Sequence, residues 1–381
     1  MSEAYVAGGA MIRMQRYPDS SYPGLAMPSV RGAIADAGIE YDQIEAVICG
    51  TTFGGPLAAQ RICKDLGLGG IPMINVENAC SGGASALHVA VENIRSGAAE
   101  VVLVIGVDKL SQFGGGTLPM ATDDPETRKG AVMPAIYAMR AQRFLHERSA
   151  TPADLAEVSV QARRHGANNP YAMFQKEVTV EQVVESRMIA DPLRLLNCCP
   201  TSDGSAAVVV VSEAVFKKLG KPGARVAAST LHSGTYIPGA RPLLSPQISV
   251  ECAIDAYEQA SIGPDDLDTV ELHDAFSISQ LIYYEALQLC APGDALGLLK
   301  DGDTTYGGKY VVSPSGGLLS RGHPVGATGV AQVVETLWHL TGRAGARQVP
   351  NARYGMTHVT GGGISGFDHG ACTIHILESA G

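Results

Sequence analysis

The feature that most narrows what this chain can fold into is an internal repeat. Residues Ala37 to Ile48 lie over Ala260 to Glu271 without a gap. Ile39 falls on Ile262, Asp42 on Asp265, Ile44 on Leu267, Glu45 on Asp268 and Val47 on Val270, and Phe53 falls on Phe276 at the same offset. A second stretch, Cys80 to Leu87, overlays His323 to Val330, and its continuation sets Ala90, Val91 and Glu92 on Val333, Val334 and Glu335. The offset grows from 223 to 243, so the second half carries about 20 further residues. Two overlays in the same order point to a duplicated unit, with halves at 1–222 and 223–381.

Within each half, short apolar runs alternate with helical stretches. Ala46–Cys49 reads as a strand, Ser81–Arg95 as a helix and Val101–Gly106 as a strand. The same grammar returns at Val208–Ser212, Val270–Leu272, Gly326–Leu340 and Cys372–Leu377, which predicts an α/β fold with strands buried on both faces. Residues 111–196 break the rhythm, rich in charge and helix formers, with no counterpart in the second half. They read as an inserted, mostly helical flap over the site.

Composition removes several function classes. The 381 residues are 45% apolar and 17% charged, a globular balance. The formal charge of −10 and the lack of any Lys/Arg run argue against nucleic acid. No apolar run approaches the ~18 residues of a membrane helix. The N-terminus lacks the basic and apolar regions of a secretion signal. Eight scattered cysteines without a CxxC pair fit reduced thiols, so a cytoplasmic location is expected. Ten histidines without HExxH or a Cys/His ligand spacing give no expectation of a metal. Nucleotide-phosphate loops and the GxSxG elbow of serine hydrolases are also missing.

Cys80 follows a strand-like segment, Pro72–Val76, and precedes Ser81-Gly82-Gly83-Ala84, which opens a helix. A thiol there meets the positive end of the helix dipole, which favours thiolate, and the glycines are expected to leave amides free to hold an oxyanion. His323-Pro324 begins the matching helix of the second half, so duplication would bring an imidazole opposite the thiol. His273 follows the strand Val270–Leu272, where ligands gather in α/β sheets. It either donates to a thioester oxygen, directly or through a water, or ties down a loop. Gly361-Gly362-Gly363 either brings amides against a substrate or forms a plain turn, and His358 lies just before it.

Together these motifs resemble the thiolases. Asn78-Ala79-Cys80-Ser81-Gly82-Gly83 is similar to their nucleophile motif, Gly322-His323-Pro324 to their GHP motif, and His273-Asp274-Ala275-Phe276 to their NEAF/HDCF element. Thr201-Ser202-Asp203-Gly204 resembles their DGA-type segment, and His165–Pro170 part of their loop domain. The His-Asp pair resembles the sterol-carrier and archaeal branch. The resemblance implies a thiolase fold of two duplicated halves in five α-β-α-β-α layers, with a helical loop-domain insertion, and a homodimeric core. It implies acyl transfer by ping-pong through acyl-Cys80, or the reverse Claisen condensation, with acyl-CoA and coenzyme A as substrates and no tightly bound cofactor. Cys80, His323, His273 and His358 would be catalytic, while Gly362, Gly363, Phe276 and Ser315 would line the oxyanion or substrate site. The pattern departs from the family at one point. Position 275 is Ala, and the region of the second catalytic cysteine reads His358-Val359-Thr360-Gly361, leaving His358, Tyr354 or Tyr310 to take the second proton. Members of this branch without that cysteine often pair with a small zinc-ribbon/OB-fold protein and act on bulky or branched acyl-CoAs. Aldolases and non-CoA acyltransferases share the frame, although the aldolases tend to lack the nucleophilic cysteine.

Overall fold

A computed structural model of the protein describes residues 2–236, 238–239, 241–363 and 368–381. Ten strands form one sheet: β1 (Ala4–Met11), β2 (Ala46–Gly50), β3 (Met73–Val76), β4 (Val101–Lys109), β7 (Asp203–Ser212), β8 (Gly223–Ser233), β9 (Thr269–Glu271), β10 (Val311–Val312), β11 (Tyr354–Gly361) and β12 (Ala371–Ala380). β5 (Met188–Ala190) and β6 (Leu193–Arg194) make a separate two-stranded ribbon. The spatial order β3-β2-β4-β7-β1 is followed by β8-β12-β11-β9-β10. Numbered within its own half, each set reads 3-2-4-5-1 outward-in. In both, the inner pairs are antiparallel and the outer pairs parallel. β1 and β8 join the halves antiparallel, through Tyr5 opposite Arg225 and Val6 opposite Ala224.

The first overlay holds residue by residue at the offset of 223. Helices end at Ala37 and Ala260, single 3-10 turns cover Tyr41–Gln43 and Pro264–Asp266, and strands start at Ala46 and Thr269. Gly38 and Ser261 both close their helices in the left-handed region, with φ of 72° and 56°. Glycine adopts that conformation freely, whereas serine does so at a cost. The second overlay holds equally well, with helices beginning at Gly82 and Val325.

Strand residues alternate between two cores, which is why neither face of the sheet is polar. Val47, Leu103 and Val209 face the outer helix Tyr22–Ala37, while Ile48, Val104 and Val208 face the molecule's centre. There the helices Gly82–Arg95 and Val325–Leu340 lie between the two half-sheets and touch strands of both. All sixteen residues of Val325–Leu340 are buried. Each of its valines and leucines contributes about 1.5–3 kcal/mol by leaving water. Outer helices Gln247–Ala260 and Ser277–Ala286 complete the far side, giving five layers.

Glycine permits the central contact. A Cβ on Gly83 would overlap the Gly326 carbonyl, and one on Gly329 would sit 2.6 Å from the Ala84 nitrogen. Gly83 and Gly326 are equivalent positions of the repeat, so the two helices meet near their starts on a local twofold.

The insertion is mostly helical, as expected, with Met133–Glu147 and Pro152–Ala167 its longest pieces. Thr151 and Asp154 form a capping box at the second of these. It docks on the second half: His165 Nδ1 lies 3.1 Å from the Ser313 carbonyl, Asn169 donates to the Ser315 carbonyl at 2.9 Å, and Ser320 Oγ donates to the Phe174 carbonyl at 2.8 Å.

Candidate active site

Cys80 sits two residues before the helix Gly82–Arg95, at a tight bend whose preceding residue, Ala79, has φ of 48°. Such a conformation costs an alanine about 1–3 kcal/mol and persists only where neighbours hold it. The Ala79 N–H donates to Glu77 at 2.7 Å, and the Ala79 carbonyl accepts from Thr52 Oγ1 at 3.0 Å. Thr52 is in turn fixed by Asp108, a buried carboxylate that accepts from the Thr52, Phe53 and Gly326 N–H groups at 2.7–3.0 Å. Asp108 therefore ties the nucleophile loop to the start of the opposing helix. Sequence reasoning missed it, because a lone Asp at the end of an apolar strand carries no motif. On the other side Gly361 lies flush against the Asn78 carbonyl, leaving no room for a Cβ.

His323 and His273 come to the same sulfur. Sγ of Cys80 and one ring nitrogen from each histidine lie within 4.8 Å of one another. The two Nε2 atoms are 3.4 Å apart. Among the described residues this is the one Cys/His/carboxylate group with metal-ligand spacing, and it brings together residues 50 or more positions apart. A Cys and two His are also donors that zinc accepts.

The hydrogen bonds assign the two rings different roles. Thr328 Oγ1 donates to the Pro324 carbonyl at 3.1 Å and lies 2.8 Å from His323 Nδ1. With its single proton committed, it accepts from Nδ1–H, which leaves His323 Nε2 unprotonated, an acceptor. His273 Nε2 then carries its proton toward His323. Its Nδ1 accepts from Thr360 Oγ1 at 2.9 Å, and Thr360 lies 3.0 Å from the Tyr283 hydroxyl. One imidazole is thus a base beside the thiol and the other a hydrogen-bond donor.

The electrostatics run against one expectation, a thiolate at rest. Burial pushes the Cys80 thiol up to about 12, opposed by the Gly362 N–H and its own N–H. His323 is brought down to about 3 by burial and by Arg321, and His273 falls well below its ordinary value for the same first reason. Both shifts favour the neutral thiol and the neutral imidazole at rest. The amides differ too. Ser81 and Gly82 donate to the carbonyls of Asn78 and Ala79, so the donors that face the sulfur are those of Cys80 and Gly362.

The remaining expected residues divide. Gly362 and Gly363 line a cavity of about 450 Å³ together with Met133, Tyr137, Arg140 and His369. Residues 364–366 of the glycine-rich run lie outside the described residues. Phe276 is buried and stacks on Tyr137 with ring centroids 4.5 Å apart. The Ser315 hydroxyl donates to Glu271 at 2.8 Å, so its proton is committed to a buried carboxylate that also pairs with Arg321. His358 stands outside the sulfur–imidazole cluster, with Nε2 3.0 Å from Ser249 Oγ and its ring against Tyr283. Tyr354 lies at the opposite end of β11 from Gly361 and donates to Glu378, while the Tyr310 hydroxyl donates to Asp265. Neither tyrosine reaches the site.

The chain is similar to known proteins over nearly its whole length. Residues 4–214 match the family described as "Thiolase, N-terminal domain", and residues 229–369 match "Thiolase C-terminal domain-like". The chain is 43% identical over 379 residues to the benzoylsuccinyl-CoA thiolase subunit BbsB of Thauera aromatica, covering 97% of this chain and 98% of that one. It is 37% identical over 411 residues to sterol carrier protein 2 of Bos taurus, covering 100% and 75%. Among solved structures, one described as "Ltp2-ChsH2(DUF35) aldolase" superposes with a TM-score of 0.87 at 26% identity, covering 99% and 98%.

Proposed function

The chain belongs to the thiolase family and is an acyltransferase, and on that premise we propose that it cleaves a bulky or branched 3-oxoacyl-CoA with coenzyme A through an acyl-Cys80 intermediate, or runs the reverse Claisen condensation. The observation that carries this reading is the meeting of Cys80 with one basic and one donating imidazole. His323 Nε2 takes the thiol proton as sulfur attacks the 3-oxo carbon, so the thiolate need exist only as the C–S bond forms. The resulting oxyanion is held by the Cys80 and Gly362 amides, and the thioester oxygen of the departing fragment by His273. A cavity of about 450 Å³ beside Gly362 and Gly363 supports a bulky acyl group. The relative named for benzoylsuccinyl-CoA supports the same substrate class.

Coenzyme A is a co-substrate in this reading, and no tightly bound cofactor is invoked. The halves are assigned to 1–222 and 223–381, with the loop domain at about 111–196. The reading includes a homodimeric core, and a small zinc-ribbon/OB-fold partner is supported by one relative described as a subunit and by a structural neighbour that contains a DUF35 protein. That neighbour also supports the runner-up, aldol cleavage, against which Cys80 itself speaks.

Intact-mass spectrometry after mixing with a panel of acyl-CoAs tests the proposal. A mass increment on Cys80 names the acyl group, and Cys80→Ala should abolish both adduct and thiolysis. Thiolysis retained by Cys80→Ala would refute the reading, and CoA-independent release of an aldehyde or ketone would favour the aldolase.

A further inference from the structure

A thiolase needs a second acid/base group at the α-carbon of the thioester; of the residues expected for that role, Tyr354 and Tyr310 lie elsewhere and His358 stands outside the sulfur–imidazole cluster. A buried network that the sequence did not reveal does reach the site. Tyr137, on the inserted helix Met133–Glu147, stacks on Phe276 and lines the same cavity as Gly362, whose amide faces the Cys80 sulfur. Its hydroxyl lies 3.1 Å from His369 Nε2, and His369 Nδ1 lies 3.3 Å from Asp368 Oδ1. Arg140 in turn pairs with Asp368 at 2.6 Å. Tyr137, His369 and Arg140 are each 5% exposed or less. The Tyr283 hydroxyl reaches both Tyr137 and Thr360, and Thr360 holds His273. One line of polar side chains thus runs from the catalytic imidazoles to Asp368.

Resting on the thiolase reading, we infer that Tyr137 is the second acid/base of this enzyme, touching the α-carbon of the acyl-CoA, with His369 as the positioning residue and proton store behind it. In thiolysis the C2–C3 bond breaks and its electron pair goes to C2 of the leaving thioester. C2 takes the Tyr137 proton while the His369 Nε2 proton passes to the Tyr137 oxygen. In the second half-reaction the CoA thiol gives its proton to Tyr137, whose own proton returns to His369, and the CoA sulfur attacks the acyl-Cys80 carbonyl. Cys80 leaves and recovers the proton that His323 held. The proton left on His369 by one CoA thiol is the one that the next enolate consumes, so charge balances over each turnover. Burial and the Arg140 charge favour the neutral His369 ring, so the imidazolium stage is held only by its contact with Asp368, whose carboxylate Arg140 fixes.

Exchange at the α-carbon reads this step alone. Acetyl-CoA and succinyl-CoA are incubated with the enzyme in D2O, and loss of α-proton signal is followed by NMR. Tyr137→Phe keeps the stacking on Phe276 and should slow exchange by about 10²–10⁴-fold, the usual worth of a general acid/base. Alkylation of Cys80 by iodoacetamide should remain at the wild-type rate. His369→Gln should slow exchange by at least tenfold with the probe's Kd unchanged, which a merely structural role would not produce. Exchange at the wild-type rate in Tyr137→Phe would overturn the inference, as would a wild type that acylates Cys80 without exchanging either probe. A wild type that does neither would overturn the thiolase reading and the relay with it.

Discussion

The burial that keeps His323 neutral extends to other histidines, and it makes the fold sensitive to acid. His165 is brought down to about 4, and His323, His358 and His375 to about 3, in each case chiefly by loss of solvent. An unfolded chain holds these side chains at the ordinary value of ~6.5. Between pH 6.5 and 4 the unfolded state therefore binds more protons than the native state, so stability falls as pH drops through that window. Each of the four costs about 1.9 kcal/mol between pH 7 and pH 5, or roughly 7–8 kcal/mol together. Asp274 works the other way. Burial raises it to about 7, so the native state gains a proton on acidification and recovers about 2 kcal/mol over the same interval. The net loss is roughly 5 kcal/mol, a large part of the ~5–15 kcal/mol that holds a typical protein folded. His273, depressed by burial, adds to the loss, and Asp108 and Glu271, raised by burial, reduce it. Urea unfolding followed by circular dichroism at half-unit steps from pH 5 to 8 measures the slope. His375→Gln should remove about one proton from it, because His375 sits between Ser229 and the Ala84 carbonyl, away from Cys80. Stability that is flat from pH 7 to 5 would refute the assignment of these rings as neutral in the native state.

Two further outcomes follow from the site. Because the Cys80 thiol is pushed up to about 12, its alkylation by iodoacetamide in the free enzyme should be slow at pH 7 and rise about tenfold per pH unit through pH 9; a rate already at its plateau by pH 7 would mean that the thiolate is preformed. Gly361→Ala should lower stability by about 1–3 kcal/mol and kcat by about 10²-fold, since the new methyl displaces the Asn78 carbonyl and the Cys80 bend; Tm by calorimetry and thiolysis rates check both, and an unchanged kcat would show that this contact does not position the sulfur.

Much of the architecture was legible because duplication writes the same physical constraints twice. The ends of two helices, two 3-10 turns and two strands coincide at a fixed offset. So do the starts of the helices that carry Cys80 and His323. His273 was legible as a strand-end residue for the same reason. Proton energetics were not. A helix start announces a dipole in sequence, but the solvent lost around Cys80 depends on tertiary packing. Ser315 shows the same limit, since its neighbour Glu271 is 44 residues away and only tertiary packing commits the hydroxyl. Tyr137 and His369 belong to no repeat and stand 232 residues apart, so no spacing could have joined them.

The central helix Val325–Leu340 carries a consequence for how such a molecule can be rebuilt. Its covering surfaces are contributed by strands from before and after residue 222, and its closest backbone neighbour is the helix that follows Cys80. Neither repeat could survive expression as a stand-alone fragment, because each would leave one flank of a helix that is buried in the whole molecule open to water. Recombining repeats from different homologues should fail for the same reason unless the glycines on both helices are exchanged as a matched set.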